Sequence, residues 1–111
     1  MALFVREAHV HMVDKRLQQI QLLILCRQWT ISRHVLADIE NGEFDEKDIE
    51  TSIMSGWIDH SQKDEMQAAV DGRKYIIIGK SYSGLPFETV GKIVEGIQGE
   101  EYFVITAFKR K

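Results

Sequence analysis

The chain has 111 residues, 44 % hydrophobic and 28 % charged, a globular composition that makes disorder the wrong default. Its net charge of −3 is unlike that of a general nucleic-acid binder, whose affinity rests on neutralising phosphates. No apolar run approaches the roughly 20 residues of a membrane span, and the start Met1-Ala2-Leu3-Phe4-Val5-Arg6 lacks the layout of a signal peptide.

The first predicted element is a helix. Val10, Val13, Leu17, Ile20 and Ile24 recur at alternating spacings of three and four, which puts them on one stripe. This helix starts between Ala8 and Asp14, a good N-cap, and runs to about Arg27; residues 1–14 are expected to be flexible. A second helix follows Thr30 or Ser32 as cap, buries Ile31, Val35 and Ile39, and ends at Asn41-Gly42, a pair suited to a left-handed C-terminal cap. In the third, Asp45 is the cap, Glu46 and Asp48 sit in the first turn where the helix dipole favours acids, and Ile49 and Ile53 face inward. Phe44 and Ile49 suit a hydrophobic staple, and Ser55-Gly56 ends the helix.

Beyond Gly56 the hydrophobic period falls to two. Trp57 to His60 begins a strand, and Ser61 to Gly72 reads as a polar, mobile stretch. Arg73 to Lys80 is apolar on both faces, as an inner strand is. Phe87 to Glu95 and Tyr102 to Lys109 complete the set, separated by the turns Ser81-Gly84 and Gly96-Gly99. Short connections make neighbouring strands antiparallel. The predicted fold is α+β: three N-terminal helices packed on a four-stranded antiparallel sheet, α-α-α-β-β-β-β, with residues 1–111 as a single domain.

Charge is uneven along this order. The acidic excess lies in residues 1–70 and is densest from Asp38 to Glu50, whereas residues 71–111 are net basic and end Lys109-Arg110-Lys111. A single cysteine, Cys26, excludes an internal disulfide and fits a reducing, cytoplasmic setting; its apolar neighbours point to a small core residue.

Few motifs carry chemistry. Gly79-Lys80-Ser81 resembles the end of a phosphate-binding loop, but Lys74 stands where that pattern needs its first glycine. A helix-turn-helix from the second and third helices would aim Glu46, Asp48 and Glu50 at phosphates. His9-x-His11 lacks a further ligand at metal spacing, so neither a metal nor a cofactor is expected. His34 stands out, placed beside the apolar stripe of the second helix at the expected helix–sheet seam. It suits a structural histidine bonded to backbone, or a general acid or base. Arg73, Lys80 and Lys109, with Tyr75 and Tyr102, suit either a phosphodiester clamp or strand ends reaching into water.

Three stretches together resemble a known family. They are Ile31-Ser32-Arg33-His34 with Asp45-Glu46-Lys47-Asp48-Ile49-Glu50, then Arg73-Lys74-Tyr75-Ile76-Ile77-Ile78-Gly79, then Tyr102-Phe103-Val104-Ile105-Thr106-Ala107-Phe108. Their order over about residues 18–109 resembles the bacterial domain-of-unknown-function 4258 family. The resemblance implies kinship with small toxins of the RelE-type ribonuclease fold, some encoded beside zinc-finger antitoxins of the YgiT or MqsA type. It carries over His34, Arg73, Tyr75 and Thr106 as site positions. The chain departs from the family at Phe108, where a tyrosine is usual, and at Ser61 to Ala69, which lacks the usual proline- and aspartate-rich turn.

Two functions are therefore expected as alternatives. One is a toxin-like ribonuclease with RNA as substrate and a zinc-finger antitoxin as partner, in which His34 is base or acid and Arg73, Lys80 and Lys109 clamp the phosphate. It requires one contiguous basic face. The other is a non-catalytic interaction domain, dimeric through the stripe of the first helix, which requires an apolar surface patch and no clustering of His34 with the cations.

Overall fold

The computed structural model describes residues 14–110. Val10, Val13 and the His9-x-His11 pair lie outside the described residues. Helix α1 spans Lys15–Leu25, and the Asp14 carboxylate caps it by accepting from the backbone N–H of Arg16 and Leu17. Strand β1, Trp29–Ile31, follows, then helix α2, Arg33–Glu40, and helix α3, Glu46–Ser55. Strands β2 (Trp57–Lys63), β3 (Arg73–Lys80), β4 (Pro86–Gly96) and β5 (Gly99–Lys109) complete the order.

The sheet corrects the expected α-α-α-β-β-β-β arrangement. It has five strands in the order β1-β5-β4-β3-β2, and β1 runs parallel to β5, so the sheet is mixed and a strand interrupts the helices. The short-connection rule holds for β2 to β5, which pair antiparallel. It does not bind β1, which meets β5 from across the length of the chain. Three residues are too few to show a period of two, and Ile31, Val35 and Ile39 repeat at a helical spacing although Ile31 stands in the strand.

The helix ends follow their capping chemistry. Ser32 starts α2: its Oγ accepts from Val35 N–H at 3.2 Å and donates to the Ile105 carbonyl at 2.7 Å, tying the helix to β5. At the other end Gly42 takes a left-handed φ of 78°, which lets Gly42 N–H reach Ile39 O and Glu43 N–H reach Asp38 O. Asp45 and Asp48 cap α3 reciprocally, each carboxylate accepting the other's backbone N–H.

All three helices lie on one face of the sheet. Ile20 and Ile24 of α1, Val35 of α2, and Ile49 and Ile53 of α3 meet Tyr75, Ile77, Phe87, Ile93, Tyr102 and Val104 from the strands. Each fully buried isoleucine contributes on the order of 1.5–3 kcal/mol. Phe44 meets Phe87 edge to face, with ring centroids 5.3 Å apart. The described part of the α1 stripe, Ile20 and Ile24, is thus spent inside its own core, which removes those residues as the surface for a second copy. Cys26, at the end of α1, is exposed rather than buried.

Gly79 is what brings α3 onto β3. A Cβ there would run into the Ser52 carbonyl of α3, so only glycine allows the helix to approach this closely. The glycine in Gly79-Lys80-Ser81 is thus accounted for by packing.

Candidate functional site

Cross-strand partners share a face of the sheet, and successive residues alternate between faces. Two extra residues shift this alternation, Asp59 in β2 and Ile105 in β5. The bulge at Ile105 keeps both Val104 and Ala107 in the core and turns Thr106 and Phe108 to the opposite side.

The six residues singled out in the sequence fall in separate places. His34 is in the first turn of α2, not at a buried seam; its side chain is 72 % exposed and its Nε2 stands 3.7 Å from Asp38 Oδ2. Asp38 also lines a shallow depression of about 300 Å³ with Glu43, Phe44, Phe108 and Lys109. Lys80 ends β3 two strands from Lys109 but on the other face. Arg73 begins β3, roughly 23 Å from Lys80 at the usual strand rise. There its guanidinium donates to Ser61 Oγ.

Tyr75 is the one nominated residue close to Arg73. Its hydroxyl donates to Asp71, which also receives Arg16 at 3.4 Å. Burial first, and then the Asp71 carboxylate, push the Tyr75 phenol up to about 12 against a smaller opposing pull from Arg16 and Arg73. Thr106 is half-buried on the helix-free face. One contiguous basic face is therefore absent among the described residues.

That helix-free face is the largest feature the sequence left unread. At one end it presents Trp57 and Phe108, 55 % and 45 % exposed. Half-buried Val90, Val94, Phe103 and Ile105 carry apolar surface across its middle, beside the buried side chains of Ile76 and Ile78. At the other end the loop that follows β2 folds against it. Asp64 anchors this loop, accepting from the backbone N–H groups of Met66, Ala68 and Ala69 and from Lys92 Nζ at 3.2 and 3.3 Å. Both partners are buried, with side chains 2 % and 7 % exposed. Burial alone would raise the Asp64 carboxyl. The N–H of Ala69, the Lys92 ammonium and the N–H of Ala68 outweigh it and hold the carboxyl below its usual range. The stretch expected to be mobile from Ser61 to Gly72 is thus strand as far as Lys63 and pinned at Asp64. The signal that could have found the pair is Lys92, a charge standing between Val90 and Val94 in an apolar strand.

Compared with known proteins, the chain matches no family model, no curated protein and no solved structure. The likeness to the domain-of-unknown-function 4258 family rests on motif order alone. Among the described residues no three His, Cys, Asp or Glu side chains gather as metal ligands, and no helix is long and apolar enough to cross a membrane.

Proposed function

We propose that the chain is a non-catalytic interaction domain that holds a second copy of itself against the Trp57–Phe108 end of its helix-free sheet face. The observation that carries this reading is the exposure of two aromatic side chains on an apolar face that no helix covers. Charge on this face is partly paired: Glu88 is matched by Arg110 at 3.6 Å and Lys92 by Asp64, with Lys80 exposed at the end of β3. Sedimentation equilibrium tests it. A dimer that Phe108→Asp dissociates is the expected result, and a monomer at every concentration overturns the reading.

A toxin-like ribonuclease is the second reading, favoured by one observation: His34 pairs with Asp38, and Asp38 and Lys109 line the same depression. Such a pair can take a proton from a ribose hydroxyl while the ammonium faces the phosphate. The zinc-finger antitoxin and the RNA substrate belong to this reading. Cleavage of a mixed-sequence RNA, compared between wild type and a folded His34→Ala variant, decides between the two. Cleavage lost in the variant favours the ribonuclease; no cleavage by either favours the interaction domain.

A further inference from the structure

We infer that the other end of the helix-free face binds a neutral, largely apolar small molecule carrying a carbonyl-type acceptor, which accepts from Lys92 Nζ. This goes beyond the proposed self-association. Phe103, which lines the pocket, and Phe108, at the association end, are five residues apart on β5, roughly 16 Å.

The pocket has a volume of about 710 Å³, within the roughly 300–1,000 Å³ usual for small-molecule sites. Val94, Phe103 and Ile105 form its sheet side, and Met66 and Ala68 of the Asp64-anchored loop form its wall. A medium-sized apolar molecule would cover surface that is half-exposed without it.

Lys92 supplies the directional contact. An ammonium has three N–H donors, and Lys92 Nζ, 3.2 and 3.3 Å from the two oxygens of Asp64, commits at most two of them there. It donates to no other group among the described residues, although the side chain lines the pocket and is 7 % exposed. A ligand oxygen at this point would give the remaining donor an acceptor shielded from water.

Charge selects a neutral ligand. Lys92 and Asp64 cancel, and the remaining charged side chains around the opening are Lys74, Glu65 and Glu101. A carboxylate ligand would enter a net negative rim. A cation would meet the buried ammonium at the base. A ketone, amide or ester oxygen on an apolar body meets neither obstacle.

The probe is Nile red, which is neutral, apolar, carbonyl-bearing and fluorescent when desolvated. Competitors are an alkyl methyl ketone, the alkane of the same chain length and the matching carboxylate. Saturable one-to-one binding is expected, with the ketone displacing the dye better than either alternative. Ala68→Trp fills the pocket from an exposed loop position and should weaken dye binding by at least about tenfold. Lys92→Met combined with Asp64→Asn, which leaves no buried carboxylate uncompensated, should reduce ketone affinity by roughly tenfold or more while sparing the alkane. Circular dichroism establishes that each variant is folded. Non-saturating dye adsorption, binding unchanged in folded Ala68→Trp, or a preference for the carboxylate overturns the inference. Sedimentation reads the association reading separately, so either proposal can fail alone.

Discussion

The phenol of Tyr102 fills the space that a side chain at position 91 would need: a Cβ on Gly91 would collide with Cζ, Cε2 and the hydroxyl oxygen of the ring. Tyr102 is fully buried, and its hydroxyl has no hydrogen-bond partner among the described residues. Burial, and then the neighbouring Tyr75, push its phenol far up, so it stays protonated through the physiological range.

Two substitutions at this contact have opposite expected signs. Gly91→Ala overpacks the site and will cost about 1–3 kcal/mol, read as a lower urea midpoint. Tyr102→Phe removes an orphaned buried hydroxyl and will leave stability equal or higher. A double-mutant cycle with Tyr102→Leu should recover part of the Gly91→Ala loss; fully additive effects would show that ring and Cβ do not compete.

Gly79→Ala is expected to be harsher than Gly91→Ala, because the obstacle is the Ser52 backbone carbonyl rather than a side chain. The α3–β3 packing must separate to admit the methyl group. Hydrogen exchange should show α3 amides losing protection before those of β4. Unchanged α3 protection with full stability would contradict the close approach.

Ser32→Ala will destabilise the chain by about 1–2 kcal/mol, at the upper end for an N-cap. The hydroxyl is both the cap of α2 and the donor to Ile105 O, so its loss also leaves that carbonyl short of a partner. Ser32→Asp keeps the capping acceptor but lacks the donor, and should recover only the capping share in equilibrium urea unfolding.

Stability will fall as pH rises from about 10 towards 12. The Tyr75 phenol ionises near 10 when unfolded and near 12 when folded, so in this window the folded chain holds a proton that the unfolded chain has lost. The contribution is complete below the unfolded value and gone above the folded one. Tyr75→Phe should flatten the fall, measured as the difference in urea midpoint between the two proteins. Equal slopes would mean that burial and Asp71 do not hold the phenol protonated in solution.

The helices were legible because their determinants are local. Asp14, Asp45 with Asp48, and Gly42 act within a few residues, and each does what its position suggested. Inner strand β3 was legible for a similar reason, its apolar residues being covered on both faces. What escaped depends on contacts distant in sequence. β1 is a strand because β5 lies beside it, Thr106 faces away from the core because Ile105 bulges, and Asp64 is buried because Lys92 reaches it. The six candidate residues were chosen by chemical type, and type carries no information about which end or face of a sheet a residue occupies.

The parallel pairing of β1 with β5 also sets an order of events for folding. Trp29, Thr30 and Ile31 have register partners only at Tyr102, Phe103 and Val104. The described residues from Asp14 to Glu95 therefore contain a strand with nothing to pair with and a core without Tyr102. Closing that long loop carries an entropic penalty before any contact offsets it. A ribosome-bound nascent chain that has not released β5 would hold its helices loosely and leave β1 open, so commitment to the native state awaits the last strand.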